Sequence, residues 1–400
     1  MPCLNYSIGG QHVLNLKWIK PFVSAITLSA FFFSCSWFSL LAIISIYLTN
    51  VLNLSAMLTA TIMMVTSIAS KLTRLMISAL FDRLAPHYVI ALSASIISVS
   101  CLVLAITTNT SFVVLAILGF GIAYGSTSMV LRTLTGVIRD NKQRAEKFVQ
   151  LSVITNLASM VAPLACVSLY EGVSVRAPFI LNALIMLFLA SISLFKASWP
   201  KLPPQQPWLD ALKQQIKSKN IFILFILTIL CWTIYSQLFS ALPLYVEQQL
   251  GSTKDVGYLL SFNALLSVIL ASPVHKITLR FCLSTHHIII ISLLLHALGS
   301  LSIHFSSSNH AIYFSLLIWT MGELLLIPTL QSILAGSVDG ELLVSVTAIN
   351  AIAMGLGEGF GSFLGVILTR ETHISFLVFS GISIITLLYA WHYRRYLASW

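Results

Sequence analysis

The sequence predicts an all-α integral membrane protein, with twelve transmembrane helices in two pseudo-symmetric six-helix bundles. Three observations predict it. Of 400 residues, 58% are hydrophobic and only 8% charged. A soluble domain carries about a quarter charged residues, so a water-facing surface cannot be covered from this set. The apolar residues also fall into twelve runs of membrane-crossing length, and the basic residues segregate to one side of the resulting path.

The runs of the first half lie at 19–47, 54–80, 88–107, 111–131, 148–170 and 176–196. Those of the second half lie at 221–246, 256–278, 286–305, 311–335, 343–368 and 374–394. Each is long enough to cross about 30 Å of hydrocarbon, which takes about 20 residues of helix. Helix is required because unpaired amides are costly in lipid, and the period-two alternation of a barrel is absent. The first 20 residues, MPCLNYSIGGQHVLNLKWIK, hold no apolar core of signal-peptide type, so the first span is expected to insert uncleaved.

Between the halves lies a polar stretch, KASWPKLPPQQPWLDALKQQIKSKN, from Lys196 to Asn220. It holds four of the twelve prolines and five lysines. Its WLDALKQQIK part has amphipathic spacing suited to a membrane surface. The expected organisation is an N-terminal bundle at 1–196, a basic cytoplasmic linker at 197–220 and a C-terminal bundle at 221–400.

Orientation follows from charge. With both termini inside, all of the 22 lysines and arginines except Arg176, Lys254 and Arg370 fall on the cytoplasmic side. Missing one span would scramble that bias, because every later loop would change sides. The net charge of +10 is therefore read as topology and not as a nucleic-acid surface. The expected location is a bacterial inner (plasma) membrane, as a multi-pass monomer.

Charges inside spans carry the functional reading, since facing lipid would cost several kcal/mol. Lys71, Arg74, Ser78 and Asp82 are spaced 3, 4 and 4 and share one helix face. The stripe is expected to attract an anionic or carboxylate-bearing substrate. The alternative is snorkelling to inner headgroups, with Arg74 paired to Asp82 or to another span. Glu323 and Glu358 fall near the middle of the tenth and eleventh spans. A carboxyl group in apolar surroundings suits proton coupling or substrate contact. The structural alternatives are a hydrogen bond to a neighbouring helix for Glu323, and for Glu358 an ion pair across the halves to Arg74 or Lys71.

Tyr47, Tyr124, Trp232, Tyr235, Tyr245 and Trp319, with Gln237, are candidate cavity residues, although aromatics in spans more often anchor or pack. His275, His296 and His304 are scattered and read as polar surface residues, not metal ligands. The six cysteines form no CxxC pair. HExxH, GxSxG and phosphate-loop patterns are absent. Neither a metal, a cofactor nor an enzymatic activity is expected, and ATP-driven transport by this chain is disfavoured.

Ser78-Ala79-Leu80-Phe81-Asp82-Arg83 follows the second span, Gln143-Arg144-Ala145 the fourth, and Gly322-Glu323 precedes Pro328 in the tenth. On these, the chain resembles the major facilitator superfamily over nearly its whole length. That family's motif after the second span is Gly-x-Leu-x-Asp-Arg-x-Gly-Arg-Lys. Leu80, Asp82 and Arg83 match it; both glycines and the last basic pair do not. The second-half counterpart, Ser272 to Arg280, carries Thr278 where an acid is expected. The resemblance implies a conformational gate at Ser78, Asp82 and Arg83. The tenth-span pattern is similar to drug-efflux members, and the stretch SKLTRLMISALFDR to metallophore and siderophore exporters. The fourth span, GFGIAYG at Gly119–Gly125, lacks the arginine of proton-coupled exporters, and Arg132 is placed at its cytoplasmic end.

The resemblance implies secondary transport by alternating access: proton-coupled export of a drug-like or carboxylate metallophore/siderophore substrate. Alternatives are uptake of an anionic metabolite, or a non-transporting receptor or scaffold of the same shape. A membrane-embedded lipid enzyme would need clustered nucleophile, base or metal ligands at one face, which the scattered His and acids do not supply.

Overall fold

The computed structural model describes residues 25–76, 84–136, 141–195, 219–306, 308–336 and 343–397. Six helices make the first half: α1 (Ala25–Ile46), α2 (Ala56–Met76), α3 (Pro86–Ile106), α4 (Thr110–Gly136), α5 (Asn141–Gly172) and α6 (Ala177–Phe195). The second half holds α7 (Lys219–Tyr235), α8 (Thr253–Arg280), α9 (Thr285–His304), α10 (Asn309–Gly336), α11 (Leu343–Ile367) and α12 (Ser375–His392). The seventh span continues past α7 through a 3-10 turn at Ser236–Leu238 into a helix at Ala241–Leu250. The first and eleventh spans end in π-turns, Tyr47–Val51 and Leu368–Thr372. Among the described residues, twelve spans are long and apolar enough to cross a bilayer, so the chain is an integral, multi-pass membrane protein. The described residues contain no strand.

The ends of several spans differ from expectation. α4 runs on to Gly136 and α5 begins at Asn141, so Arg132 and Lys147 stand within helices. Helix hydrogen bonding does not stop at the edge of the hydrocarbon, whereas hydropathy falls as soon as a charge appears. The linker at 197–218 and the gate residues Ser78, Asp82 and Arg83 lie outside the described residues.

The two halves pack alike. In the first, α3 lies against α4 and α6, α1 against α5, and α2 against α4. In the second, α9 lies against α10 and α12, α7 against α11, and α8 against α10. Individual side chains repeat the pattern. The Tyr47 hydroxyl donates to the Leu104 carbonyl at 2.7 Å, and the Tyr245 hydroxyl to the Ile303 carbonyl at 3.0 Å. Tyr47 meets Phe179 edge-on, and Tyr245 meets Phe376 the same way. These bonds satisfy buried phenols that would otherwise be costly in an apolar core. The tyrosines expected at the cavity are thus the braces of each bundle.

The halves meet along α2 with α11 and α5 with α8. Small residues permit the approach. A Cβ on Gly359 would lie 2.8 Å from Ile68 Cγ1 and 3.1 Å from the Met64 carbonyl; one on Gly257 would lie 3.1 Å from the Pro163 carbonyl.

Within the first half, α4 crosses α2 so closely that a Cβ on Gly125 would overlap the Ser70 carbonyl oxygen. That crossing fixes where α2 aims Lys71 and Arg74. Gly125→Val is therefore expected to lose about 1–3 kcal/mol or more to overpacking against backbone. The yield of monodisperse protein and its thermal unfolding measure the loss. Gly172→Ala, with nothing within 4 Å of its added Cβ, serves as the tolerated control. Equal behaviour of the two variants would contradict the close crossing.

Candidate functional site

The site begins on α2. Its Lys71, three residues before Arg74, points across the interface between the halves and not along it to a headgroup. Gly355 on α11 makes room, its would-be Cβ lying 3.0 Å from Lys71 Cβ. Lys71 Nζ then reaches Glu358 Oε1 at 2.9 Å, with the two side chains only 8% and 15% exposed. The ammonium also stands 5.6 Å from the Trp232 ring centroid, in cation–π range. Glycines on both sides of Glu358, at 357 and 359, let α11 press on α7 and α2 together.

A cavity of about 190 Å³ opens beside this pair. α1 supplies Trp37 and Phe38; α2 supplies Thr66, Ser67, Lys71 and Arg74; α4 supplies Tyr124 and Arg132. The seventh span adds Trp232, Tyr235, Ser236 and Phe239, and α11 adds Met354, Glu358 and Ser362. Trp37 stacks on Tyr124, centroids 4.3 Å apart and nearly parallel. Phe38 meets Phe239 from the opposite half at 5.9 Å. Aromatic walls with a few convergent polar groups are the usual make-up of a small-molecule site.

A second space, of about 380 Å³, adjoins it through Arg74, Tyr124 and Arg132, which line both. It leads toward the end of the bundle where the chain enters α1 and leaves α12, past Ser128, Ser152, Asn156 and Gln331. At the opposite end the halves are tied. Asn50 donates to Glu247 at 2.9 Å and accepts from Arg370 at 3.2 Å. Glu171 accepts from the Lys254 backbone amide at 2.9 Å, with the Lys254 ammonium 3.7 Å away. The cavity is latched at the far end and continuous with a polar vestibule at the other.

The structure sorts the sequence candidates. Lys71, Arg74, Glu358 and Tyr235 come together at the cavity. Glu323 does not line it; its carboxylate accepts from Asn263 of α8 at 3.0 Å, and Asn263 also donates to Thr320. Both Glu323 and Glu358 act electrostatically on Tyr235. Gln237 is fully buried, its amide donating to the Thr233 and Gly361 carbonyls at 2.7 and 2.9 Å, a clamp between the seventh span and α11. Tyr245 and Trp319 are core residues, and His296, expected at the surface, is fully buried against Trp319. Small neighbours explain that burial: Gly322 packs directly on the imidazole.

Sequence reasoning missed Arg132, because a charge ended the apolar run that defined the fourth span. It also missed Trp37, Phe38 and Phe239, which carry no signal that separates a cavity wall from packing.

Two like six-helix halves around a cavity closed at one end define the class: a secondary transporter. The chain belongs to the Major Facilitator Superfamily, whose sequence pattern matches residues 26–362. Among solved structures it is similar to peptide transporter POT, with 14% identity, a TM-score of 0.82 and 94% of each chain covered. A POT family transporter in complex with 5-aminolevulinic acid gives 14% identity and a TM-score of 0.80, over 93% of this chain and 96% of that one. The nucleoside transporter NupG gives 16% and 0.75, over 92% and 98%. At such identities the likeness shows the fold. No curated protein sequence matches the chain.

Proposed function

We propose that this protein moves a small organic anion across the membrane together with a proton, by alternating access. The observation that carries the proposal is the Lys71–Glu358 pair, which joins the two halves at the cavity wall. A largely buried charge is tolerable when paired and costs several kcal/mol when not. With Glu358 ionised, the pair is closed and the cavity needs no ligand at Lys71. A proton on Glu358 discharges it and leaves the ammonium without a counter-ion; an anionic group then takes the vacated place. The empty, paired carrier and the carrier loaded with both proton and anion are the two states without an unpaired charge at this point. Carriers loaded with one alone are disfavoured, which couples the two movements in the same direction. Because the paired groups sit on α2 and α11, loading also exchanges a cross-half tie for contacts to the substrate.

This coupling favours uptake of an anionic metabolite over the export that the drug-efflux resemblance implies. That resemblance centres on Glu323, which is bonded to Asn263 off the cavity wall. Carboxylate chelators stay within the substrate class. The bias of basic residues supports a plasma-membrane protein with both termini cytoplasmic, so the vestibule faces the cytosol.

Proteoliposomes under an imposed pH gradient test the proposal, with a panel of carboxylates set against cationic drugs. Carboxylates are expected to accumulate on the side to which protons flow. Selective transport of cations, or anions driven against the proton flow, would overturn it. Absence of flux for every compound would favour a receptor or scaffold instead.

A further inference from the structure

Among the described residues, the closed Lys71–Glu358 pair leaves two positive charges without an acid partner. Arg74 of α2 has its Nε buried with no hydrogen-bond partner. Arg132 of α4 forms no ion pair among the described residues, and the two guanidinium groups act on each other electrostatically. Among the described residues that line either space, Glu358 is the one acid, and it is committed to Lys71. Like charges held together in partly desolvated surroundings repel, and the repulsion is relieved by a counter-ion between them. Nothing else among the described lining residues supplies one. Apart from Lys71 and Glu358, the described polar groups around them are neutral, among them Tyr124 and Ser128, Asn156 and Gln331.

Resting on the anion reading above, we propose that the neck between the two cavities is a second anion-recognition station. Arg74 and Arg132 hold a group there, so that the substrate is a divalent organic anion with an aromatic or apolar body. Guanidinium forks match carboxylate and phosphate oxygens in a bidentate way that an ammonium does not. Lys71 and Arg74 are three residues apart on one helix, so their heads serve acidic groups separated by about one helical turn, ~5 Å. The apolar body faces Trp37, Trp232 and Phe239 in the inner cavity. Two chemistries share the required charge, a dicarboxylate and a phosphate monoester, which is mostly doubly charged at pH 7.

Three compounds with one aromatic body separate the cases: phenylacetate, phenylsuccinate and phenyl phosphate. Their binding is measured by ligand-dependent thermal stabilisation of the purified full chain and by competition in proteoliposome flux. At least one divalent compound is expected to bind about tenfold or more tightly than phenylacetate, a difference of about 1.4 kcal/mol. Preference for phenylsuccinate identifies two separated carboxylates; preference for phenyl phosphate identifies one phospho group. Arg74→Gln and Arg132→Gln are each expected to collapse the divalent-to-monovalent ratio toward one. Arg132→Lys keeps the charge and part of the ratio, and shows that the Gln variant's loss is not a failure to fold. Equal binding of mono- and divalent anions, or a ratio unchanged in Arg132→Gln, overturns the inference while leaving anion transport standing. Binding of none of the three overturns both.

Discussion

Glu358→Gln is expected to abolish proton-driven accumulation of the anion. One proton per anion and a gradient of one pH unit amount to about 1.4 kcal/mol, enough for about tenfold accumulation. Glutamine keeps the length and a hydrogen-bond acceptor for Lys71 but cannot gain or lose the proton. Lys71 in the variant has a charged partner only when the anion is bound, so the empty carrier no longer closes its pair. The variant is therefore expected to run down an anion gradient or exchange anion for anion, at a reduced rate. Its accumulation ratio should approach one at any imposed pH difference. Counterflow and net uptake in the same proteoliposomes separate the two activities. Full gradient-driven accumulation by the glutamine variant would place the coupling group elsewhere. The next carboxylate to test is Glu323, which acts on Tyr235 at the cavity but is tied to Asn263. If Glu358 carries the proton, Glu323→Gln should keep its dependence on the pH gradient.

Most of the fold was legible before any coordinate, and for a simple reason. Lipid forces each crossing to announce itself as a long apolar run, and the basic residues then fix the number of crossings. Lys71 and Glu358 were legible as buried charges on one footing with Glu323, because any charge within a span needs a reason. Their pairing was one of several open alternatives. It depends on Gly355, which lets α11 come within van der Waals reach of the Lys71 stem, and a glycine's partner is not written in its own neighbourhood. Arg132 was lost by the same hydropathy rule that found the spans. The symmetric braces of Tyr47 and Tyr245 show the complementary failure. Both residues look like cavity aromatics in the sequence, yet each hydroxyl is used up on a backbone carbonyl inside its own bundle.

Lys71→Ala is expected to be among the most destabilising single changes in the protein. Truncation leaves the Glu358 carboxylate largely buried without its partner, and breaking such a pair costs about 3–5 kcal/mol. Both side chains keep a small exposed fraction, which argues for the lower part of that range. Arg74 stands one turn away on the same helix and also lines the cavity, but it sits toward the vestibule and offers no hydrogen bond to Glu358. Glu358→Ala is expected to cost a similar amount, by stranding the ammonium beside Trp232. The double variant Lys71→Met/Glu358→Met removes both charges at nearly constant volume, and replacement of a buried pair in this way is often neutral or stabilising. Thermal unfolding of the wild type, Lys71→Met, Glu358→Met and the double methionine variant closes a double-mutant cycle, with an expected coupling of a few kcal/mol between residues in direct contact. Single variants that unfold with the wild type, or effects that simply add, would show that the pair is open in the protein's resting state. The expected pattern has a functional edge as well. The methionine pair should fold and yet show no response to a proton gradient, which separates the structural tie between the halves from the proton switch built on it.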